Sequence, residues 1–195
     1  MEKIFLIGGM GAGKSTVRKA LVDLGVPCID LDDIGHEVLE WQPVKDDLAA
    51  AFGPDVFDAQ GNVNRGALAA KAFSSTGQTR KLNRITMPRI EDLMTMRLEE
   101  IEQSGAPAVV VEYSVFKNRE SSLAVVADTV IAVIAPEEER IARAVASGFD
   151  EQDVRKRIAQ QITDEERRGA ADVVFENTGT PEELYEQVKN WWNGR

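Results

Sequence analysis

Residues 8–15 read Gly8-Gly9-Met10-Gly11-Ala12-Gly13-Lys14-Ser15 and fit the spacing G-x-x-x-x-G-K-[ST]. Each residue type has a chemical reason. Glycines let the backbone wrap closely and turn its N–H groups onto the oxygens of β- and γ-phosphates. Lys14 adds a mobile positive charge, and Ser15 offers a hydroxyl to Mg²⁺ carried by those phosphates. Gly11, Ala12, Gly13, Lys14, Ser15 and Thr16 are therefore the expected ATP contacts, with Ser15 on the metal side.

A carboxylate group follows in Ile29-Asp30-Leu31-Asp32-Asp33. Beside a phosphate loop, a carboxylate can orient and deprotonate an attacking hydroxyl. Strand alternation puts Asp30 and Asp32 on one side if the strand stays extended that far. The same acids are also good helix caps, so both readings hold for Asp32, and the catalytic one is favoured by its place beside the loop. Further on, Arg140, Arg143, Arg155, Lys156, Arg157, Arg167 and Arg168 cluster in an otherwise acidic chain. An arginine-bearing flap neutralises charge on a transferring phosphoryl group and excludes water. Most of these arginines read as solvated helix residues with i,i+4 partners; Arg143 is the one assigned to chemistry. His36, the single histidine, reads as a packing or surface residue, and Cys28, the single cysteine, as a buried strand residue. No Cys/His cluster has zinc spacing, which leaves Mg²⁺ as the one metal expected.

The elements that must hold these groups are legible. Ile4 to Ile7 form an apolar run that ends at the glycines, as a buried strand does. Val17, Leu21 and Leu24 then recur at helical spacing up to Gly25, and Val26 to Ile29 give a second strand. Strand, loop, helix and strand make a βαβ unit, which demands a parallel sheet and an α/β fold. Leu31 to Gly105 is helical in pattern, punctuated at Gly53-Pro54, Gly61-Asn62 and Ser74 to Gly77. Strands return at 108–111, 129–135 and 173–175. Pro136 opens a helix with Glu137, Glu138 and Glu139 at its positive end. A charged helix is expected over 150–162, a capping box at Thr163 and Glu166, and a last helix from Thr180-Pro181.

Composition excludes several classes. With 195 residues and 43% hydrophobic content, one α/β domain can bury a sizeable core. A net charge of -10 argues against a broad nucleic-acid face. One cysteine permits no internal disulfide, and no segment approaches the ~20 apolar residues of a spanning helix. These features predict a cytoplasmic protein with no nucleic-acid or membrane partner, either a monomer or a small homo-oligomer.

The spaced set Gly8 to Thr16, Leu24 to Asp32, Ile34-Gly35-His36-Glu37-Val38, Gly61 to Leu68, Leu82 to Pro88, Arg157 to Gln161, Ala171-Asp172 and Asn177-Thr178-Gly179 resembles the dephospho-CoA kinase family along nearly the whole chain. The resemblance implies ATP-dependent phosphorylation of the 3′-hydroxyl of dephospho-CoA, a small-molecule substrate, with ATP and Mg²⁺. It implies a three-layer P-loop NTPase core with a five-stranded parallel sheet, a helical CoA-binding insertion and a small lid. The corresponding bounds are core 1–32, 106–139 and 170–195, insertion about 33–105 and lid about 140–169 of a single 1–195 domain. Carried over by residue, Asp32 is the general base, and Lys14 and Arg143 stabilise phosphoryl charge. Ser15 holds Mg²⁺, Asp32, His36 and Arg65 face the acceptor, and Asn177 and Gly179 lie near the adenine. Met87, Tyr113, Lys117 and Ser147 stand where the family usually has His, Pro, Glu and Arg. Two other readings stay open at this level: a P-loop kinase for another small acceptor such as a nucleoside or nucleotide, and a weakly catalytic ATP-binding module. A guanine-reading Asn-Lys-x-Asp motif is absent.

Overall fold

The computed structural model describes residues 1–195. Five strands form one sheet: β1 (Glu2–Gly8), β2 (Cys28–Asp30), β3 (Ala108–Glu112), β4 (Thr129–Ile134) and β5 (Val173–Glu176), in the order β2-β3-β1-β4-β5. Every pairing is parallel. Ile4 is aligned with Val110 of β3 on one side and Thr129 of β4 on the other. Strand β1 is therefore central, and the strand order reverses around it. In open α/β sheets ligands bind outside the carboxyl ends of the strands at such a switch point. The glycine loop sits there.

The chain divides into two compact units, Met1–Asp30 with Leu98–Arg195, and Leu31–Arg97. In the first, helix α1 (Lys14–Asp23) packs with the last helix, α9 (Pro181–Asn193), over one face of the sheet. Period-two alternation explains the layers. Ile4 and Leu6 meet Val17, Leu21, Leu184 and Val188 on this face, all close to fully buried. Phe5 points the other way, where its ring meets Tyr113 edge-on at 6.4 Å. Phe175 and Trp191 close the outer end of the first face at 5.9 Å. Each such buried apolar side chain contributes about 1.5–3 kcal/mol. Helices α6 (Glu137–Ala146), α7 (Glu151–Ala159) and α8 (Asp164–Ala170) complete this unit. Thr163 with Glu166 starts α8 through a full capping box, and Thr180 with Glu183 does the same for α9 behind Pro181.

The second unit is helical: α2 (Leu31–Leu39), α3 (Gln42–Phe52), α4 (Arg65–Ala72) and the first part of α5 (Thr76–Gln103). Its core gathers Ile34, Val38, Val44, Leu48, Phe52, Leu68 and Leu93. Asp58 accepts the backbone N–H groups of Gln60 and Asn62, a turn closed by Gly61 at φ 78°. Three expectations need correcting. The second strand is shifted to 28–30, and Leu31 already opens α2, so the alternation invoked for Asp30 and Asp32 does not apply. The helix expected over 150–162 ends at Ala159. The break expected up to Gly77 closes at Thr76, where α5 begins.

Candidate active site

Strand β1 delivers the chain to Gly8, and α1 starts at Lys14. Between them the loop turns tightly, the Ala12 N–H donating to the Gly9 carbonyl at 3.1 Å. Gly11 has φ 73° and Gly13 φ 107°, conformations that disfavour a side chain. The Lys14 ammonium folds back to the Gly8 carbonyl at 3.2 Å. No side chain caps the N-terminus of α1, and a helix start of this kind is suited to an anion.

Around this loop lies a cleft of about 350 Å³. Residues Gly9 to Thr16 form its floor, and Glu112, Arg143, Ser147, Phe149, Asn177 and Gly179 its walls. The structure thus brings together Gly11, Ala12, Gly13, Lys14, Ser15, Thr16, Arg143, Asn177 and Gly179 from the sequence reading. Arg143 is held on α6 by Glu139 at 2.8 Å and by the Asn177 carbonyl at 3.0 Å, both through Nη2. Its other terminal nitrogen, Nη1, is buried without a hydrogen-bond partner in the protein. Such a donor is costly unless an acceptor arrives. Glu112 ends β3, the neighbour of β1, and its carboxylate lies 3.2 Å from Arg18 of α1. The same Arg18 nitrogen reaches Asp30 at 3.0 Å.

Asp32, His36 and Arg65 belong to the second unit. Asp32 and His36 are four apart on α2 and share one face. Arg65, the first residue of α4, lies 2.8 Å from His36 Nε2. Since arginine has no acceptor, that nitrogen carries the lone pair and Nδ1 the proton.

The largest departure from the sequence reading is Arg140. Taken as a solvated helix residue, it is 4% exposed and its guanidinium lies against the glycine loop. Burial pushes it down from its ordinary value, against the pull of Asp164. Arg167, also read as solvated, is 3% exposed and bound to Asp164 at 2.6 Å. No sequence signal marks a buried arginine, because its partners come from distant segments. Glu112 ends β3, where the sequence alone shows no more than an acid after an apolar run.

A family model described as dephospho-CoA kinase matches residues 3–183. The chain belongs to the dephospho-CoA kinase family. A dephospho-CoA kinase of Corynebacterium efficiens is 43% identical, covering 96% of this chain and 94% of that protein. One of Corynebacterium jeikeium is 42% identical over 100% of both chains. A solved structure from Thermus thermophilus superposes with a TM-score of 0.85 at 31% identity, covering 99% of this chain and 97% of the other. A dephospho-CoA kinase from Campylobacter jejuni matches with a TM-score of 0.74 at 19% identity, over 99% and 96% of the two chains, a likeness of fold. Membership makes this chain a kinase with ATP as a substrate. Tyr113 is buried in the aromatic row Phe5–Tyr113–Phe116.

Proposed function

We propose that the protein transfers the γ-phosphate of ATP to the 3′-hydroxyl of the dephospho-CoA ribose, forming coenzyme A. The observation that carries the reading is the phosphate loop facing Arg143, whose buried Nη1 has no partner in the protein. A nucleotide phosphate supplies the missing acceptor. Phosphoryl transfer leaves the protein little covalent chemistry; positioning and charge stabilisation do most of the work. Lys14 and Arg143 neutralise charge on the transferring group. The loop amides from Gly11 to Thr16 cradle the phosphates. Asn177 and Gly179 line the cleft on the adenine side.

Mg²⁺ fits the residues present. No group of three or more His, Cys, Asp or Glu side chains is arranged to hold a metal by itself. Ser15 and Glu112 nevertheless line the phosphate cleft. Mg²⁺ is commonly held by one or two protein oxygens plus substrate phosphates, and these two residues would supply that share. When bound, the ion would offset phosphate charge, with Ser15 and Glu112 holding it in the cleft.

On the acceptor side, Asp32 removes the proton of the attacking hydroxyl, and His36 and Arg65 orient the acceptor. Residues 59–90 support this assignment: they include Arg65, Lys71, Arg80, Lys81, Arg84 and Arg89 and no Asp or Glu, in a chain of net charge -10. A local positive field of this kind suits an acceptor that carries a diphosphate. The reading assigns the enzyme to the cytoplasm, where its nucleotide donor is abundant.

The test is coupled ADP production with ATP, Mg²⁺ and dephospho-CoA, beside adenosine, AMP and no-acceptor controls. Turnover confined to dephospho-CoA supports the proposal. Equal or faster turnover with adenosine or AMP overturns the acceptor assignment.

A further inference from the structure

We propose that Arg140 is a positioning residue for phosphoryl transfer, fixing the Met10 peptide so that the amides following it face the nucleotide. The inference rests on the glycine loop being the nucleotide site and adds a residue that does not itself line the cleft.

The geometry is a closed ring of three residues. Arg140 Nε donates to the Met10 carbonyl at 3.1 Å. Arg140 Nη2 donates to Gln161 Oε1 at 3.2 Å. Gln161 Oε1 also accepts the Met10 N–H at 3.1 Å. Both polar groups of Met10 are thus committed to Arg140 and Gln161. Arg140 Nη1 lies 3.5 Å from Asp164, which also binds the buried Arg167. The ring is therefore anchored in the start of α8.

The loop is in close contact with this side chain. A Cβ placed on Gly9 would run into the Arg140 guanidinium, and one on Gly11 into the Arg140 backbone carbonyl. Two glycines of the phosphate loop are thus required by the arginine behind it as well as by close approach to phosphate. The Met10 side chain packs against Ile141, Ala144, Val154 and Ile158, so the residue is held by its side chain and by both peptide groups.

The physical role follows. A phosphate loop works when its N–H groups are oriented before the anion arrives. At Met10 the glycines on either side allow the peptide to rotate. A buried cation on the carbonyl and an amide oxygen on the N–H select one orientation. The positive charge beneath the loop also raises the potential felt by an anion above it. A helix-surface arginine would do neither.

The test compares Arg140→Met, Arg140→Lys and Gln161→Ala with the parent protein. ATP affinity is measured by calorimetry without acceptor, KM values for both substrates by ADP production, and folding by thermal melting. Charge-assisted hydrogen bonds are the stronger kind. Arg140→Met is therefore expected to weaken ATP binding and raise the KM for ATP about tenfold or more. The KM for dephospho-CoA should change less than about twofold. Arg140→Lys, which keeps the charge and one donor direction, should recover part of the loss. Gln161→Ala should shift the KM for ATP in the same direction. If Arg140→Met fails to fold, Gln161→Ala and Arg140→Lys carry the test. A lowered melting temperature with unchanged ATP affinity in the folded variants overturns the proposal and leaves Arg140 a packing residue. Absence of ATP binding by the parent protein would instead sink the assignment of the loop.

Discussion

The side-chain amide of Asn177 donates to the carbonyl of Ala12 at 2.9 Å, while the Asn177 carbonyl accepts Arg143 at 3.0 Å. Asn177 is 6% exposed. It links the segment after β5 to the middle of the phosphate loop on one side and to α6 on the other. A Cβ on Gly13 would strike this same amide, so the loop and Asn177 fit each other closely. Asn177→Ala leaves the Ala12 carbonyl without its donor, which costs about 1–3 kcal/mol. The melting temperature should fall by about 2–12 °C and the KM for ATP should rise. An unchanged melting curve and KM would mean that water replaces the amide without loss.

Lys14→Ala removes the one mobile charge of the loop. Loss of an electrostatic contact to the transition state typically costs 10²–10³-fold, so turnover should drop by about that factor. Thermal melting without nucleotide should change little, because the ammonium's contact with the Gly8 carbonyl lies at the open loop. Near-parental turnover would refute the role of Lys14.

Asp32→Asn keeps the shape of the side chain and removes its basicity. The kcat should fall by about 10²–10⁴-fold with little change in the KM for ATP. Steady-state kinetics with ATP varied at saturating acceptor measures both. A loss smaller than about threefold would make Asp32 a helix-terminal residue only, serving the positive end of α2.

Gly11→Ala meets two obstacles at once. The residue has φ 73°, and the added methyl would collide with the Arg140 backbone carbonyl, which cannot swing aside as a side chain can. The loop must deform, and calorimetry should show ATP binding weakened by at least about tenfold. Gly61→Ala has similar strain at φ 78° but open space around it. It should lower the melting temperature and leave ATP binding intact, which separates backbone strain from collision.

Cys28 provides a pH signature. Burial pushes its thiol up to about 12 from 9.0, opposed by Arg18 and reinforced by Glu112 and Asp30. The folded state therefore holds the thiol proton more tightly than the unfolded chain does. Stability from this source is complete below about pH 9 and is lost as pH climbs toward 12. Melting temperatures measured from pH 8 to 11 should decline more steeply in the parent than in Cys28→Ser. Parallel curves would show that the thiol does not contribute. At pH 7.5 the folded protein should react slowly with iodoacetamide, since the thiolate is the nucleophile.

Much of the core was legible because its signals are local. Apolar runs mark strands, and Gly8 to Ser15 fixes both a loop and its position between strand and helix. The capping boxes at Thr163 and Thr180 were readable for the same reason. What stayed hidden depends on tertiary partners. Arg140 and Arg155 look alike in sequence, yet one lies beneath Met10 and the other pairs with Glu138 and Glu151 on the surface. The end of β2 was also hidden. Nothing in Asp30-Leu31-Asp32 breaks an extended chain, and the change to helix at Leu31 comes from packing, as Leu31 and Ile34 are buried. Glu112 gained meaning only when β3 was found beside β1.

The central place of β1 has a kinetic consequence. The strand that carries the phosphate loop is made first, but its neighbours are residues 108–112 and 129–133. More than half the chain must exist before either edge of β1 is satisfied, and closing contacts over such separations is slow. The loop's rigid support therefore depends on contacts of long sequence separation. A nucleotide that binds the assembled loop and not the unfolded chain stabilises the folded protein by mass action.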